Sequence, residues 1–413
     1  MVIGSAKQGN EVRGTERALA HIEKVAWIKP IEGADNIELI GVLGWVCIAK
    51  KGEFKENDIC IYFEIDSKLP ETEWSEFMRP KHFKVKTMKL GKFNVISQGL
   101  ALPLSAFGWE QIENKVVVGK NIHPVGDDVT ELLGVKYSVE EDNIRKSKNG
   151  DPNAKYKSMA ARHQKLFKTK PFRWLMKRSW GRKLLFIFFG KKKDKPKAFP
   201  DWIVKTDETR CENIPWILGD TNKYVVTSKI DGTSSTYAID FTKTKKGEFI
   251  VCSRNVRQQD EKQECYHDSN VYWEMAFKYN IEQALRDIAK QNNANRVVLQ
   301  GETYGEGVQG NFYKIKGRNF AAFNLILDGN RMGSVEAKDI LSKHNIPFVP
   351  ILRIQEGIPE TMEELKLEAD GKSEINSLVI REGLVYRSLD GKNSFKNVSR
   401  LYLLKKGDRK SVV

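Results

Sequence analysis

Short runs in which apolar and polar residues alternate dominate the first third of the chain. Side chains at every second position of a strand face the same way, so this period of two predicts strands rather than helices. The predicted strands cover residues 21–28, 36–42, 45–49, 59–65 and 93–103, the last of them with a bend. Short strands at such close spacing are typical of a small all-β barrel, which we interpret as OB-like and place at residues 18–137. Such barrels commonly bind single-stranded nucleic acid, and the alternative is a spacer or a protein-docking module.

The second half of the chain mixes strand and helix patterns. Apolar, β-branched or aromatic runs predict strands at residues 224–229, 249–252, 296–299, 320–327, 382–387 and 394–398. Apolar positions at helical spacing predict one helix over residues 270–292 and two shorter ones, at about 335–345 and 360–369. Because strands and helices do not alternate strictly, the pattern favours an α+β domain with largely antiparallel sheets.

Positive charge is concentrated between these two halves. The chain carries 69 Lys and Arg against 54 Asp and Glu, and residues 141–200 hold 19 of the former and 4 of the latter, so this segment accounts for the whole excess of +15. The part up to Lys157 is polar and predicts a linker, whereas the part after it mixes cations with aromatic residues such as Phe167, Phe172, Trp174 and Trp180. This mixture suits nucleic acid, through phosphate neutralisation and stacking. A membrane-surface helix, or a helix that packs its apolar side on the following domain, is the alternative.

Length and cysteine usage restrict the class of protein. A chain of 413 residues is long enough for two or three domains. Its five cysteines are odd in number, widely spaced and without a CxxC pair, which argues against a disulfide framework or a zinc ribbon and fits a reducing, cytoplasmic location. We find no signal-peptide pattern and no run approaching ~18 apolar residues, so we expect no membrane partner.

Candidate chemistry lies in the sequence Lys229-Ile230-Asp231-Gly232, at the end of a predicted strand. The glycine indicates a sharp turn or a close approach of the backbone to a ligand. A lysine attacks an electrophile only as the neutral amine, and at its ordinary pKa of about 10.4 almost none is neutral at pH 7. A desolvated pocket or a neighbouring cation, such as a metal or a second lysine, can lower that pKa. Taken alone, the four residues are more typical of a surface turn after a strand.

The order of the later elements narrows the interpretation. The lysine is followed by an acidic strand at 300–310, an aromatic strand at 320–327, a Glu-Gly strand at 382–387 and a final lysine, Lys396. This order resembles the motif set of covalent nucleotidyltransferases, which comprise ATP-dependent RNA and DNA ligases and mRNA capping enzymes. The details resemble most the ATP-dependent RNA ligases of the Naegleria and Deinococcus type.

The N-terminal segments resemble the same family. Residues 33–37 and 95–100 are similar to its amino-terminal OB domain, which precedes the transferase domain, whereas in DNA ligases and capping enzymes the OB domain usually follows it. The resemblance therefore implies three parts: an OB-like RNA-binding domain at 1–137, a basic linker or insertion at 138–200 and a nucleotidyltransferase domain at 201–413. Domain order disfavours a DNA ligase or a capping guanylyltransferase. A non-catalytic RNA-binding protein on a degenerate transferase fold remains the alternative of a different class.

The resemblance implies a role for each matching residue around the nucleotide. Lys229 would attack the α-phosphorus of ATP, Asp231 would orient that lysine or a ribose hydroxyl, and Gly232 would lie against the nucleotide. Arg254 would grip phosphate, for which its planar guanidinium is suited, although a strand-end turn residue is the alternative. Phe323 would stack on adenine, unless it is an ordinary core residue.

The remaining matches concern metal and phosphate. Glu302 would hold the ribose or a metal-bound water, and Glu382 would be linked to a dication, Mg²⁺ or Mn²⁺. Taken singly, both are more typical of solvated acids at strand ends, and their order and neighbours, together with Lys229, favour the ligand roles. Lys396 would contact the α-phosphate. Val398 stands where the family's final motif often has a second lysine, so either Lys405 or Lys406 substitutes for it or one phosphate contact is missing.

The implied reaction joins RNA ends in three transfers. ATP would leave AMP on the lysine as a phosphoramide and release pyrophosphate. The AMP would then pass to an RNA 5′-phosphate, and a 3′-hydroxyl would displace it, in a substrate that we expect to be a nicked duplex. Each transition state spreads negative charge over phosphoryl oxygens, so fixed cations should dominate catalysis.

Overall fold

The computed structural model describes residues 18–138, 156, 159–160, 163–189, 197–258 and 270–409. The polar N-terminus, most of the predicted linker before Lys157, the lysine run 191–193 and Cys265 lie outside the described residues. Among the helices within these ranges, none combines the length and apolarity needed to cross a membrane.

The N-terminal part is built of short strands, as its alternating pattern predicts. They are β1 (Ala20–Pro30), β2 (Ile37–Val42), β3 (Trp45–Lys50), β4 (Ile59–Phe63), β5 (Ser67–Lys68), β6 (Met88–Leu90), β7 (Val95–Ser97), β8 (Leu100–Pro103), β9 (Glu110–Ile112), β10 (Lys115–Val118), β11 (Asn121–Pro124) and β12 (Lys136–Tyr137). Five of them form an antiparallel sheet in the order β3-β2-β1-β4-β8. The Gln98 amide donates a hydrogen bond to the Val46 carbonyl over 2.8 Å, which brings the chain before β8 back to β3. The sheet is thereby curled into the expected OB-like half-barrel.

Both faces of this curled sheet are buried. In β4, Ile59, Ile61 and Phe63 belong to one hydrophobic cluster, while Cys60 and Tyr62 belong to another on the opposite face. The period of two along the strand thus divides its side chains between two cores, because successive side chains of a strand point to opposite faces.

Within residues 163–189, the basic segment contains the helices α1 (Gln164–Phe167), α2 (Lys170–Met176) and α3 (Ser179–Phe189). Phe167 and Leu185 are buried together, and Phe172, Phe186 and Phe189 pack against them. Several of the aromatic residues therefore form a small core within the segment itself.

The C-terminal part, predicted as the transferase domain, contains two sheets with helices. Its elements are β13 (Lys197–Ala198), β14 (Thr209–Arg210), β15 (Lys223–Lys229), β16 (Thr233–Asp240), β17 (Glu248–Ser253), β18 (Val256–Arg257), α4 (Val271–Lys278), α5 (Ile281–Asn292), β19 (Arg296–Gly305), β20 (Arg318–Leu327), β21 (Asn330–Arg331), α6 (Ser334–Ser342), β22 (Ile351–Glu356), α7 (Met362–Ala369), β23 (Gly383–Ser388), β24 (Ser394–Val398) and α8 (Arg400–Arg409). One sheet has the order β13-β18-β17-β16-β19-β20-β21 and the other β14-β24-β23-β15-β22. Between named strands of these two sheets, only β14 and β24 pair in parallel, so the predicted antiparallel α+β architecture is confirmed for the described residues.

Two sequence predictions about these elements are wrong. The single helix expected over residues 270–292 is two helices, α4 and α5, because Asn280 has a left-handed backbone with φ of 47°. Asparagine adopts this conformation more readily than most residues, and it breaks the helix without a glycine or proline to signal the break. The strand expected to end before Glu302 continues as β19 to Gly305, so Glu302 lies within the strand and pairs with Ser234 of β16.

Polar contacts tie the N-terminal sheet to the transferase part. The Trp45 indole donates to Asn213 Oδ1 over 2.6 Å, and the Gly44 amide donates to the Glu212 carbonyl over 2.8 Å. Glu212 itself forms a buried ion pair with Lys366, with 2.7 Å between Oε1 and Nζ. The β2–β3 turn and the start of β3 are thus fixed directly against the short helical turn Cys211–Asn213, which follows β14.

Candidate active site

Pairing of β15 with β23 positions the candidate nucleophile. Lys229, the last residue of β15, lies opposite Gly383, so Glu382 emerges beside it. Lys229 Nζ lies 2.9 Å from Glu382 Oε1, and both side chains are largely shielded from solvent. Lys229 and Glu382 are 153 positions apart in the sequence, and the pairing of β15 with β23 brings them together.

Gly232 is required by close packing rather than by an unusual backbone angle. A Cβ atom at this position would lie 2.3 Å from the Thr303 carbonyl oxygen and 2.9 Å from Glu302 Cγ. The turn after the lysine can therefore approach β19 only because residue 232 has no side chain.

We expect Gly232→Ala to lower the free energy of unfolding by about 1–3 kcal/mol, because the new methyl group overlaps backbone that has little room to move. Thermal and urea unfolding of the full chain would measure the loss. Gly91→Ala is the matched control, since a Cβ atom there meets no atom within 4 Å. Equal stability of the two variants would show that the turn relaxes freely.

Asp231 is held from two sides. Its Oδ1 accepts a hydrogen bond from Lys406 Nζ over 3.0 Å, and its backbone amide donates to the Tyr313 hydroxyl over 2.7 Å. Lys406, from α8, also donates to the Tyr402 hydroxyl over 2.6 Å. Of the two lysines considered as substitutes for the one that Val398 replaces, Lys406 therefore reaches the site, whereas Lys405 is exposed.

Glu302 faces the same group of charges. Desolvation raises the pKa of its carboxyl to about 8, and the nearby carboxylates of Glu382 and Asp231 add to this against the opposing effect of Lys229. Removal of a carboxylate from water and its placement among like charges both favour the neutral form. In the protein alone this carboxyl therefore ionises only near pH 8 and carries its charge above that pH, including the range in which Lys229 titrates.

The pKa of Lys229 differs from the sequence expectation. Burial lowers it, as expected, but the carboxylates of Glu382, Glu302 and Asp231 together outweigh burial, so the pKa lies above its ordinary value. The protein by itself holds the amine in its charged, non-nucleophilic form. Only an added positive charge that engages these carboxylates would release the proton.

A second group of charges lies around Asp207. One of its oxygens accepts from Lys396 Nζ over 2.6 Å, and the other is 3.2 Å from Arg254 Nη2. Desolvation lowers the pKa of Lys396 to about 8, and the positive charges of Arg210 and Lys229 lower it further, while Asp207 opposes this change. Arg254 and Lys396, which are both predicted to bind phosphate, thus form ion pairs with the same carboxylate, Asp207.

Phe323 is half-buried in β20 and packs against the cluster that contains Ile230, the neighbour of Lys229. Its carbonyl accepts a hydrogen bond from Arg387 Nη1 over 2.8 Å, which fixes its backbone to β23. The structure places Phe323 close to the nucleophile strand, and its stacking on adenine stays a prediction.

The carboxylates of this site fit a dication whose coordination shell also includes ligands from outside the protein. Glu382 Oε2 is buried and has no hydrogen-bond partner, and such an atom is costly to leave unpaired. Within the described ranges, no three His, Cys, Asp or Glu side chains are grouped closely enough to hold a metal ion by themselves. This is the arrangement expected for Mg²⁺ or Mn²⁺ bound by one or two carboxylates together with phosphate oxygens and water.

Three residues of this site were not assigned roles from the sequence. Asp207 precedes the transferase strands without a motif of its own, and Lys406 was only one of two alternatives. Arg210 pairs with Lys396 across β14 and β24, and its buried Nε and Nη1 have no hydrogen-bond partner. The parallel pairing of two strands so far apart in sequence is the signal that locates Arg210, and it is visible only in the structure.

Comparison with known proteins decides the family. A model described as RNA ligase matches residues 222–401, and one described as an OB-fold domain matches residues 19–104. An apo point mutant of Naegleria gruberi RNA ligase is 31% identical with a TM-score of 0.70, and the match covers 95% of this chain and 99% of that one. The chain belongs to the RNA ligase family.

Further structures of the Naegleria gruberi RNA ligase agree with this assignment. The enzyme with PPi is 30% identical with a TM-score of 0.71, over 95% of this chain and 100% of that one. A variant solved with ATP and Mn is 30% identical with a TM-score of 0.69, over 95% and 99%. No curated protein sequence matches the chain significantly. The resemblance seen in the sequence motifs is thus confirmed, and as a member of this RNA ligase family the protein acts on RNA.

Proposed function

We propose that this RNA ligase uses ATP to seal RNA ends through AMP bound covalently to Lys229. The observation that carries the proposal is the position of Lys229 at the end of β15, within 2.9 Å of Glu382 and in the field of Glu302 and Asp231. Naegleria gruberi RNA ligase has been solved with ATP and Mn and with AMP and Mn, which supports ATP and a dication as cofactors.

In the first transfer, the neutral Lys229 amine forms a P–N bond to the α-phosphorus, and the bond to the pyrophosphate oxygen breaks. Glu382, Glu302 and Asp231 keep the resting amine protonated until their charge is offset. Mg²⁺ or Mn²⁺ bound at Glu382 and Glu302 would supply that positive charge and would help to neutralise the phosphoryl group.

The other predicted residues bind and orient the nucleotide in this proposal. Lys396 and Arg254 exchange Asp207 for phosphate oxygens, with Arg254 suited to a bidentate contact. Phe323 stacks on adenine, and Gly232 lets the backbone approach the nucleotide. Val398 stands where a second phosphate-binding lysine is expected. We propose that Lys406, which contacts Asp231, makes this phosphate contact instead.

In the later transfers, AMP passes to an RNA 5′-phosphate, and a 3′-hydroxyl displaces it. We propose a nicked duplex as the substrate, because the OB-like domain offers a second nucleic-acid surface fixed beside the transferase part through Trp45 and Asn213. We also propose a cytoplasmic location, since the four described cysteines are free and buried, as expected in a reducing compartment.

Sealing assays test this substrate. The full chain would be incubated with ATP, Mg²⁺ or Mn²⁺ and 5′-labelled strands in three forms: nicked RNA duplex, nicked DNA duplex and free single-stranded RNA. We expect the nicked RNA to be sealed fastest. Preferential sealing of free single strands would reject the nicked-duplex proposal, and preferential sealing of DNA would reject RNA repair as its role.

The pH dependence of AMP transfer to the protein should be bell-shaped. Glu302, with its pKa of about 8, gains its charge as the pH rises, so kcat/KM for ATP should increase on the acid side. Lys396, also with a pKa of about 8, loses its charge as the pH rises, so kcat/KM should fall on the alkaline side. Higher Mn²⁺ should move the acid limb to lower pH, because a bound dication favours the ionised carboxyl.

The profile would be measured from initial rates of covalent labelling at several total ATP concentrations and at pH values on both sides of 8. Lys396→Arg is the decisive comparison, because arginine stays charged far above pH 8. Loss of the alkaline limb in that variant assigns the limb to residue 396. An unchanged alkaline limb would assign it elsewhere.

A further inference from the structure

The helix α3 presents large apolar side chains to solvent along one face. Trp180, Leu184, Ile187 and Phe188 are 53%, 41%, 75% and 72% exposed. At about 100° per residue, these four positions fall within an arc roughly 100° wide. We call them the apolar face of α3.

This exposed face is additional to the core of the segment. Leu185, which lies outside this arc, is 4% exposed and belongs to the hydrophobic cluster of the basic segment, with Phe167 of α1. Phe186 and Phe189 also pack against that cluster. The helix is therefore already packed against the rest of the segment without its apolar face. Contiguous exposed apolar surface of this kind marks a site of interaction with a partner.

The neighbouring helix enlarges the face with a second tryptophan. Trp174 in α2 is 49% exposed, and its ring lies 6.0 Å from the ring of Trp180. The Arg178 guanidinium lies 3.8 Å from the centre of the Trp174 ring. Aromatic side chains with adjacent cations are typical of protein segments that lie at a membrane–water interface.

The charged residues around the apolar face of α3 are all basic. From residue 152 to residue 193 the sequence contains no Asp or Glu and 14 Lys and Arg. Arg173, Lys177, Arg178 and Lys183 are exposed on α2, on α3 and between them. Basic residues near an anionic membrane surface are attracted to it, so several together stabilise binding substantially.

We propose that the apolar face of α3 docks on an anionic lipid membrane, with its helix lying in the plane of the interface. RNA is the alternative polyanion, but the exposed aliphatic residues Leu184 and Ile187 offer no ring on which a base can stack. These side chains gain free energy by leaving water for an apolar phase, which lipid provides beside anionic head groups. The proposal concerns a surface contact and revises the expectation that no membrane takes part.

Vesicle flotation with the full chain tests the proposal. The probes are phosphatidylcholine vesicles with and without phosphatidylserine. We expect binding to the anionic vesicles, and we expect the double variant Ile187→Ser and Phe188→Ser to lower the apparent affinity at least tenfold, since both lost side chains would be buried in the interface. Ile112→Ser with Ile122→Ser is the matched control, because these residues are 57% and 60% exposed on the β9–β11 sheet. This control should bind vesicles as the unaltered protein does.

Further measurements distinguish membrane binding from RNA binding and from self-association. Lys177→Glu with Lys183→Glu should weaken binding to anionic vesicles several-fold and should be partly mimicked by added salt. Unfolding temperatures of all variants should equal that of the unaltered protein, because each changed side chain is solvent-exposed. Absence of vesicle binding, or equal binding by Ile187→Ser with Phe188→Ser, would overturn the proposal. So would a selective loss of single-stranded RNA binding or of self-association in that variant without any effect on vesicles.

Discussion

Replacing Lys229 by alanine is expected to abolish covalent labelling of the protein by α-labelled ATP, a loss of at least about 10³-fold. The reason is that the proposed P–N bond forms at Lys229 Nζ, and among the described residues no other amine occupies that position at the end of β15. The measurement is denaturing electrophoresis after incubation of the purified chain with labelled ATP and Mg²⁺ or Mn²⁺.

Two further variants make this result specific. Lys229→Arg should also fail, because a guanidinium is not deprotonated at working pH. Lys223→Ala should label normally, since Lys223 lies at the opposite end of the same strand and its amine is 2.8 Å from exposed Glu356. Retention of the label by Lys229→Ala would place the nucleophile elsewhere. A GMP label instead of an AMP label would indicate guanylyltransferase activity, and no label from folded protein would favour a non-catalytic RNA-binding protein.

Glu382→Gln is expected to lower the rate of AMP transfer to Lys229 by about 10²–10³-fold, although two of its effects oppose each other. Removal of the charge takes away the strongest influence that raises the Lys229 pKa, so a larger fraction of the amine should be neutral. The same change removes a carboxylate proposed to engage the dication and hence positive charge beside the developing phosphoryl charge. We expect the second effect to dominate, because electrostatic stabilisation is usually the largest contribution to such transfers.

Mn²⁺ titrations separate these two effects. If Glu382 engages the dication, the variant should need a higher Mn²⁺ concentration for half-maximal labelling. At saturating Mn²⁺, loss of the Glu382 charge should by itself move the pH at which labelling rises down. Glu356→Gln is the exposed control and should match the unaltered protein. A faster rate in Glu382→Gln would mean that Glu382 acts only as the counter-ion of Lys229.

Much of the scaffold could be predicted because it depends on local pattern. The alternation in β1 to β4 and the apolar run of β15 predict strands without knowledge of their partners, and β24 was predicted with its observed bounds, Ser394–Val398. The break at Asn280 could not be predicted, because asparagine is compatible with a helix and only the packing of α4 and α5 on one core selects its left-handed backbone.

In the candidate site, too, local pattern predicts some features and not others. Lys229, Glu302 and Glu382 were predicted as site residues from the order of their motifs, and the structure brings their charges together, while their roles stay predictions. The ion pairs of Asp207 with Lys396 and of Lys406 with Asp231 join residues 189 and 175 positions apart, and no local pattern predicts them.

The sequence by itself thus determined the strands, the order of the motifs and the family, since each depends on neighbouring residues or on their succession along the chain. Only the tertiary structure decided the charge state of Lys229, the proposed nucleophile. Three carboxylates from separate parts of the chain converge on Lys229 and raise its pKa against the effect of burial. Electrostatic energy depends on distance in space and on exclusion of water, and both are set by strand pairing rather than by position in the sequence.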